Sequence, residues 1–164
     1  MKLQEQIRKV LKEEVNENTL VVYHGTPERH EFNKEGIMFG GTFFSVSENE
    51  ARAYGNHIYK IALRKDLNFI DTNLLKDCEL IIDEFGTLID PYYDEDEDGY
   101  YITEPERLYY NSDSWSAIES NDDVMEWLEG NYDGVWIYEG GVRNLLLFKP
   151  IKEKIIFIST YQNK

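Results

Sequence analysis

The chain has 164 residues, with 32 acidic against 17 basic side chains and a formal net charge of −15. This length suits a single domain with an ordinary core, and a composition of 41% hydrophobic and 14% aromatic residues excludes wholesale disorder. The negative charge repels phosphate backbones, so we expect no direct nucleic-acid binding, whereas a basic protein surface would be attracted.

The predicted elements begin with a charged helix and two short strands. Apolar side chains in residues 3–11 fall on one face of a helix that ends near residue 16. The apolar run 20–23 predicts a buried strand, with His24, Gly25 and Thr26 at its end. Residues 41–46 predict a second strand, in which Phe43 and Phe44 point to opposite faces.

A helix is expected directly after the second strand. Ser47, with Glu50 three residues later, forms a capping box, and Tyr54 lies two turns along. His24, one strand ring and this helix ring would then line a single cleft. Each of these residues taken alone is typical of ordinary core packing, but the set suits a flat, heteroaromatic ligand.

The rest of the chain is interpreted from apolar alternation and turn residues. We expect strands over 57–63 and 67–71, a helix over 74–85, an acidic loop over 91–106, a helix over 115–128, and closing strands over 134–138, 143–148 and 154–160. This order predicts an α+β fold in one domain, with a split, twisted mixed and antiparallel β-sheet, flanking helices, and an acidic, tyrosine-rich insertion at about 72–130.

One acidic run has the start of a metal-site pattern. Residues 94–99 read Asp-Glu-Asp-Glu-Asp-Gly, which resembles the first half of a calcium loop. The closing bidentate Glu should stand six residues after the glycine, where the chain has Pro105. We therefore interpret the run as a solvated loop and expect no calcium site. The sequence also has no Cys/His cluster that would favour zinc.

The single cysteine and the short length of the apolar runs indicate which cell compartment the protein occupies. Cys78 has no second cysteine to pair with, so nothing requires an oxidising environment. Residues 1–14 are charged and lack the apolar core of a signal peptide, and no apolar run approaches membrane-spanning length. We expect a cytoplasmic protein with no membrane partner.

Three motifs occur in order in the first third of the chain: His24-Gly25-Thr26, the run from Gly41 to Phe44, and Tyr54 eleven residues after Phe43. At these residues the chain resembles the ADP-ribosyltransferase superfamily, in the branch that includes diphtheria toxin and the poly-ADP-ribose polymerases. The resemblance implies the fold of that superfamily and NAD as a substrate.

The resemblance also implies a role for each matching residue. His24 and Thr26 would hold the NAD ribose, and the Gly25 backbone would pair with the nicotinamide amide. Phe43 and Tyr54 would sandwich the nicotinamide ring. Phe43 stands where the family usually has Tyr, which keeps the stacking face and loses the hydroxyl group.

The third catalytic element of the family departs from its pattern. The family has a Glu at the start of a late strand, where this chain has Asn144, and the nearest upstream carboxylate is Glu139 in a Tyr-Glu-Gly-Gly turn. Three alternatives remain open: Glu139 substitutes from a flexible turn, the site works without a Glu, or the site binds without turnover.

Two functions follow as hypotheses. The first is an NAD-dependent mono-ADP-ribosyltransferase that modifies a protein acceptor, of a kind that suits a phage or mobile-element effector. Without a Glu at position 144, a single transfer is favoured over polymer elongation. The alternative is a catalytically inactive protein of the same fold, whose acidic, tyrosine-rich surface sequesters a basic partner.

Overall fold

The computed structural model describes residues 19–29, 41–91 and 100–162. The expected N-terminal helix and the acidic run 94–99 lie outside these described residues. Within them, the strands are β1 (Thr19–Thr26), β2 (Gly41–Ser45), β3 (His57–Arg64), β4 (Phe69–Asp71), β5 (Leu88–Asp90), β6 (Tyr100–Ile102), β7 (Gly134–Glu139), β8 (Val142–Phe148) and β9 (Ile155–Gln162).

The helices of the described segments are short, apart from two. They are α1 (Glu48–Ala51), α2 (Leu75–Phe85), α3 (Pro105–Tyr109), α4 (Ser114–Glu119) and α5 (Asp122–Asn131), with 3-10 turns at Arg52–Tyr54 and Lys152–Lys154. None of them combines the length and the hydropathy that a membrane-crossing helix needs.

A seven-stranded sheet forms the centre of the fold, in the order β4-β7-β8-β2-β1-β3-β9. β4 pairs with β7 in parallel and the other neighbours pair antiparallel, while β5 and β6 form a separate two-stranded sheet. The expected α+β fold with a mixed sheet is confirmed. The sheet is also divided near its middle, because β1 and β2 meet through one registered pair, Tyr23 opposite Ser45.

Each face of the sheet carries its own apolar core. One cluster packs the helices against the sheet and includes Ile81, Leu128, Val135 and Leu146. The other includes Val22, Phe44, Tyr59, Ile61, Trp136, Leu145 and Leu147. Alternation along β8 explains the division, since successive side chains of a strand point to opposite faces.

Two expectations for the middle of the chain are wrong. Part of the expected loop over 91–106 is ordered structure: β6 pairs with β5, because Ile102 is buried at the register position opposite buried Leu88. Pro105 then begins α3, a position that tolerates the missing N–H. The acidic composition of the segment is typical of a loop, so the sequence predicted neither β6 nor α3.

The single helix expected over 115–128 is two helices, α4 and α5. Asn121 separates them, because its Nδ2 donates to the Ala117 carbonyl at 2.6 Å and to the Ile89 carbonyl at 3.0 Å. A short amide side chain that satisfies backbone groups in this way competes with helix continuation. Asp122 and Asp123 then occupy the first turn of α5, where negative charge is favourable.

The one cysteine is a core residue. Cys78 lies on α2, is fully buried, and its Sγ lies 3.3 Å from the Thr72 carbonyl oxygen. Burial, followed by the nearby carboxylates of Asp77 and Asp71, raises the pKa of the thiol to about 12. Since the thiolate is the reactive form, this side chain is chemically inert near neutral pH.

Helix α1 and β1 are in close backbone contact. Ser47 caps α1 as expected, with its Oγ accepting from the Glu50 N–H at 3.3 Å. A Cβ added at Gly25 would lie 1.7 Å from the Ala51 carbonyl oxygen. Only glycine fits there. This contact fixes the distance of α1 from the sheet, and with it the position of Tyr54, which follows α1 in the chain.

We predict that Gly25→Ala lowers the free energy of unfolding by about 2 kcal/mol or more, because the backbone of α1 must move to admit the methyl group. The matched control is Gly130→Ala in α5, where an added Cβ meets nothing within 4 Å. That change should stabilise the protein by about 0.5–1 kcal/mol through helix propensity. Urea unfolding measures both, and equal effects would contradict the close approach at Gly25.

Candidate functional site

A cleft of about 580 Å³ opens beside the join between β1 and β2. Its volume lies in the range of small-molecule sites, about 300–1,000 Å³. Six of the residues selected from the sequence line it: His24, Gly25, Phe43, Tyr54, Glu139 and Asn144. The seventh, Thr26, is the last residue of β1, opposite His57, and is not among the lining residues.

The His24 ring is held across the gap between the two half-sheets. Its Nδ1 lies 2.7 Å from the Phe43 carbonyl oxygen, which can only accept a hydrogen bond, so Nδ1 carries the proton. The ring also makes an edge contact with Phe44, with centroids 5.7 Å apart. In the neutral imidazole this arrangement makes Nε2 the hydrogen-bond acceptor, as a ligand hydroxyl group requires.

Phe43 lies on the opposite face of β2 from Phe44, as strand alternation predicts. Phe44 is buried in one core, whereas Phe43 is partly buried and lines the cleft. The Trp115 ring packs edge-on against Phe43, with centroids 5.0 Å apart. Trp115 therefore fixes the orientation of the Phe43 ring.

Glu139, Asn144 and Tyr54 form a polar network on one wall. Asn144 Nδ2 donates to Glu139 Oε2 at 3.1 Å, and the Tyr54 hydroxyl donates to the same oxygen at 3.4 Å. Asn144 Oδ1 in turn accepts from the Ser45 hydroxyl at 3.2 Å. Asn144 is buried, so this network holds its amide in one orientation.

Glu139 lies on a strand and not in the glycine turn that one of the three alternatives invoked. Glu139 is the last residue of β7 and pairs with Val142, and only Gly140 and Gly141 form the turn between the strands. Both glycines have positive φ, 55° and 82°, which a two-residue hairpin turn requires. The carboxylate is therefore delivered by the end of a strand and needs no loop movement to reach the cleft.

The environment of Tyr54 raises the pKa of its hydroxyl group. Partial burial is the largest cause, the hydrogen bond with Asn144 opposes it, and the negative charge of Glu139 adds to it. The neutral phenol is thus favoured. It can donate to Glu139 throughout the physiological pH range.

Helix α4 forms the opposite wall, which the sequence did not predict. Trp115, Ser116 and Glu119 of α4, with Asp113 before it, line the cleft. Partial burial raises the pKa of the Glu119 carboxyl, and the charges of Glu139 and Asp113 raise it further. Residue spacing could not predict that α4 lines the cleft, because α4 contacts β2 and β7 only through tertiary packing.

The charge on the side chains that line the cleft is negative. Three carboxylates line it, from Asp113, Glu119 and Glu139, and no Lys or Arg among the described residues does so. Such a lining favours positive charge in a ligand or a transition state. Within residues 19–29, 41–91 and 100–162, no cluster of three or more His, Cys, Asp or Glu side chains is arranged to hold a metal ion.

Comparisons with known proteins give one structural likeness. No family model matches the sequence. No curated protein matches it. A solved structure described as that of an anti-CRISPR protein is similar over 88% of this chain and 97% of its own, with 14% sequence identity and a TM-score of 0.46. A likeness of this size carries no functional conclusion.

The polar network yields a prediction that is independent of any ligand. Glu139→Gln removes a negative charge beside the Tyr54 hydroxyl, so it should lower the pKa of Tyr54. Asn144→Ala removes a hydrogen bond that lowers this pKa, so it should raise it. Carbon-13 NMR of labelled tyrosine, with Tyr54 assigned by Tyr54→Phe, measures both. Shifts of the same sign in the two variants would contradict the network.

Proposed function

We propose that this protein transfers a single ADP-ribose group from NAD to a protein acceptor. The observation that carries the proposal is the meeting of Phe43, Tyr54 and Glu139 in one cleft of suitable volume. Two rings and a carboxylate are what the cleavage of a nicotinamide–ribose bond calls for. The order of these residues in the sequence resembles the ADP-ribosyltransferase pattern, which supports the same function.

Binding of the substrate is assigned to residues around the join of the half-sheets. Phe43 and Tyr54 hold the planar nicotinamide ring by stacking. His24 Nε2 accepts from a ribose hydroxyl group, with Thr26 as a second candidate from the same strand end. The Gly25 backbone lies beside these residues and pairs with the carboxamide.

Transfer then proceeds at the anomeric carbon of the ribose. The bond to nicotinamide breaks, and nicotinamide leaves with the electron pair. Positive charge builds on the ribose until the nucleophilic group of the acceptor forms the new bond and loses its proton to solvent. Glu139 stabilises this charge electrostatically, and Asn144 orients the Glu139 carboxylate through the 3.1 Å hydrogen bond.

The acidic lining also supports the second candidate, a binding protein without turnover. Three carboxylates, with no Lys or Arg among the described lining residues, oppose the pyrophosphate of NAD, whereas they attract a cationic side chain of a partner. We retain the enzyme as the first proposal, because the rings and the Glu139 network serve the cationic nicotinamide half of NAD equally well.

NAD binding is tested by thermal unfolding. At a hundredfold excess over the dissociation constant, NAD should stabilise the protein by about 2.7 kcal/mol, a melting-temperature rise of about 5–10 °C for a domain of this size. His24→Ala should remove most of this rise. His57→Ala, a histidine outside the cleft, should keep it. A folded wild-type protein that shows no response at millimolar NAD would overturn the proposal.

Turnover is tested at Glu139. Glu139→Gln keeps the shape of the hydrogen-bonded side chain and loses its charge, so ADP-ribose transfer should fall at least tenfold, about 1.4 kcal/mol, with NAD affinity nearly unchanged. The matched control is Glu126→Gln, an exposed carboxylate on α5, which should transfer at the wild-type rate. Labelled NAD incubated with a cell lysate reports transfer, and free nicotinamide reports hydrolysis.

The outcomes of this assay separate the two candidates. A Glu139→Gln protein that transfers as fast as the wild type would show that Glu139 is not the catalytic carboxylate. A wild-type protein that neither modifies a lysate protein nor cleaves NAD would favour the binding protein.

A further inference from the structure

A second cavity, of about 320 Å³, lies against the β7–β8 hairpin that carries Glu139. Its lining consists of Asn73, Tyr109, Tyr110, Asn111, Ser112 and Tyr138, together with the Gly141 backbone. We call this set the tyrosine pocket. None of these residues lines the cleft, so the pocket is separate from the proposed NAD site.

Two pairs of chain neighbours divide the pocket from the cleft. Ser112 lines the pocket and Asp113 lines the cleft, and Tyr138 and Glu139 are divided in the same way. The Gly141 N–H donates to the Ser112 carbonyl at 2.7 Å, which ties the two dividing segments together. Because consecutive Cα atoms are about 3.8 Å apart, the two cavities are separated by little more than one layer of backbone.

The chemistry of the pocket suits a peptide. The Tyr110 side chain is 79% exposed and makes an edge contact with the Tyr109 ring, with centroids 4.7 Å apart. A projecting tyrosine pair of this kind is typical of a protein-binding anchor. The Asn73 Nδ2 group is buried and has no hydrogen-bond partner among the described residues, whereas Asn111 Nδ2 donates to Asp90 at 2.9 Å. A peptide carbonyl can accept a hydrogen bond from Asn73 once the Asn73 side chain turns its amide into the pocket.

The charge around the pocket indicates the kind of peptide. The whole chain carries a net charge of −15, and the segment that leads into Tyr109 exposes Glu104 and Glu106 beside one basic residue, Arg107, which pairs with Glu104 at 3.6 Å. An acidic surface of this kind speeds and favours association with a basic segment and disfavours an acidic one.

We propose that the tyrosine pocket docks a basic, extended segment of the acceptor protein, with an apolar side chain against Tyr110 and a backbone carbonyl on Asn73. Tyr138 and Glu139 are successive residues of β7 and point to opposite faces, so a docked segment reaches the cleft by passing round the Gly140-Gly141 turn at the tip of the hairpin. An extended peptide, which advances about 3.3 Å per residue, can follow such a path. The role in transfer rests on the proposed function above, but the docking itself does not.

The docking is tested without NAD. Isotope-labelled protein is titrated with the peptide acetyl-Gly-Arg-Leu-Arg-Gly-Arg-amide, and the signals of the Asn73 side-chain amide and the Gly141 backbone amide are followed by NMR. Tyr110→Ala should weaken binding at least tenfold. The control is Tyr101→Ala, a tyrosine that is 53% exposed and lines neither cavity, and it should change binding less than twofold.

Several results would overturn the docking proposal. These are an equal response to a peptide with Glu in place of each Arg, equal weakening by the two tyrosine variants, or no response at millimolar peptide.

Transfer is measured in parallel: Tyr110→Ala should reduce transfer to protein at least fivefold while NAD cleavage stays within twofold of wild type. Equal loss of both activities would also contradict the proposal. If the wild-type protein does not cleave NAD, the proposed function is wrong, and the peptide titration alone then decides whether the pocket docks a basic segment.

Discussion

The site depends on where the central sheet ceases to be continuous. β1 and β2 meet at Tyr23 and Ser45 and then separate, and the cleft lies beside that join. Ser45 serves twice, since its hydroxyl group also donates to Asn144 in the polar network. The junction of the half-sheets and the orientation of the Glu139 carboxylate are therefore coupled through one serine and one asparagine.

The position of Tyr54, on the same wall as Glu139 and Asn144, is set by backbone contact. Gly25 admits the Ala51 carbonyl so closely that α1 is positioned by β1 itself, and Tyr54 follows from the end of that helix. The α4 wall is fixed by different means: the buried Asp90 carboxylate accepts hydrogen bonds from Ser116 and from Asn111. The Phe43–Trp115 ring pair and the polar network thus meet at β2, which carries both Phe43 and Ser45.

Local patterns in the sequence predicted most of the strands and helices and some of the site residues. Alternation and apolar runs located the strands around His24, Phe43 and Asn144, and the Ser47 cap marked the start of α1. Acidic composition concealed β6, because the burial of Ile102 against Leu88 is a tertiary effect that no local window contains. For the same reason, sequence spacing could not place Trp115 beside Phe43. Motif order predicted that His24 and Tyr54 share one cleft, whereas Glu139 was selected only as the carboxylate nearest to Asn144. The roles of all three residues remain predictions.

The inert thiol of Cys78 has a practical consequence for the study of this protein. Its pKa of about 12 and complete burial keep it from reacting with maleimide or iodoacetamide reagents at neutral pH. Cysteines introduced at exposed positions are then the only reactive thiols in the otherwise native chain. Spin labels or fluorophores placed on the hairpin and on α4 could report the width of the cleft without any removal of the native cysteine.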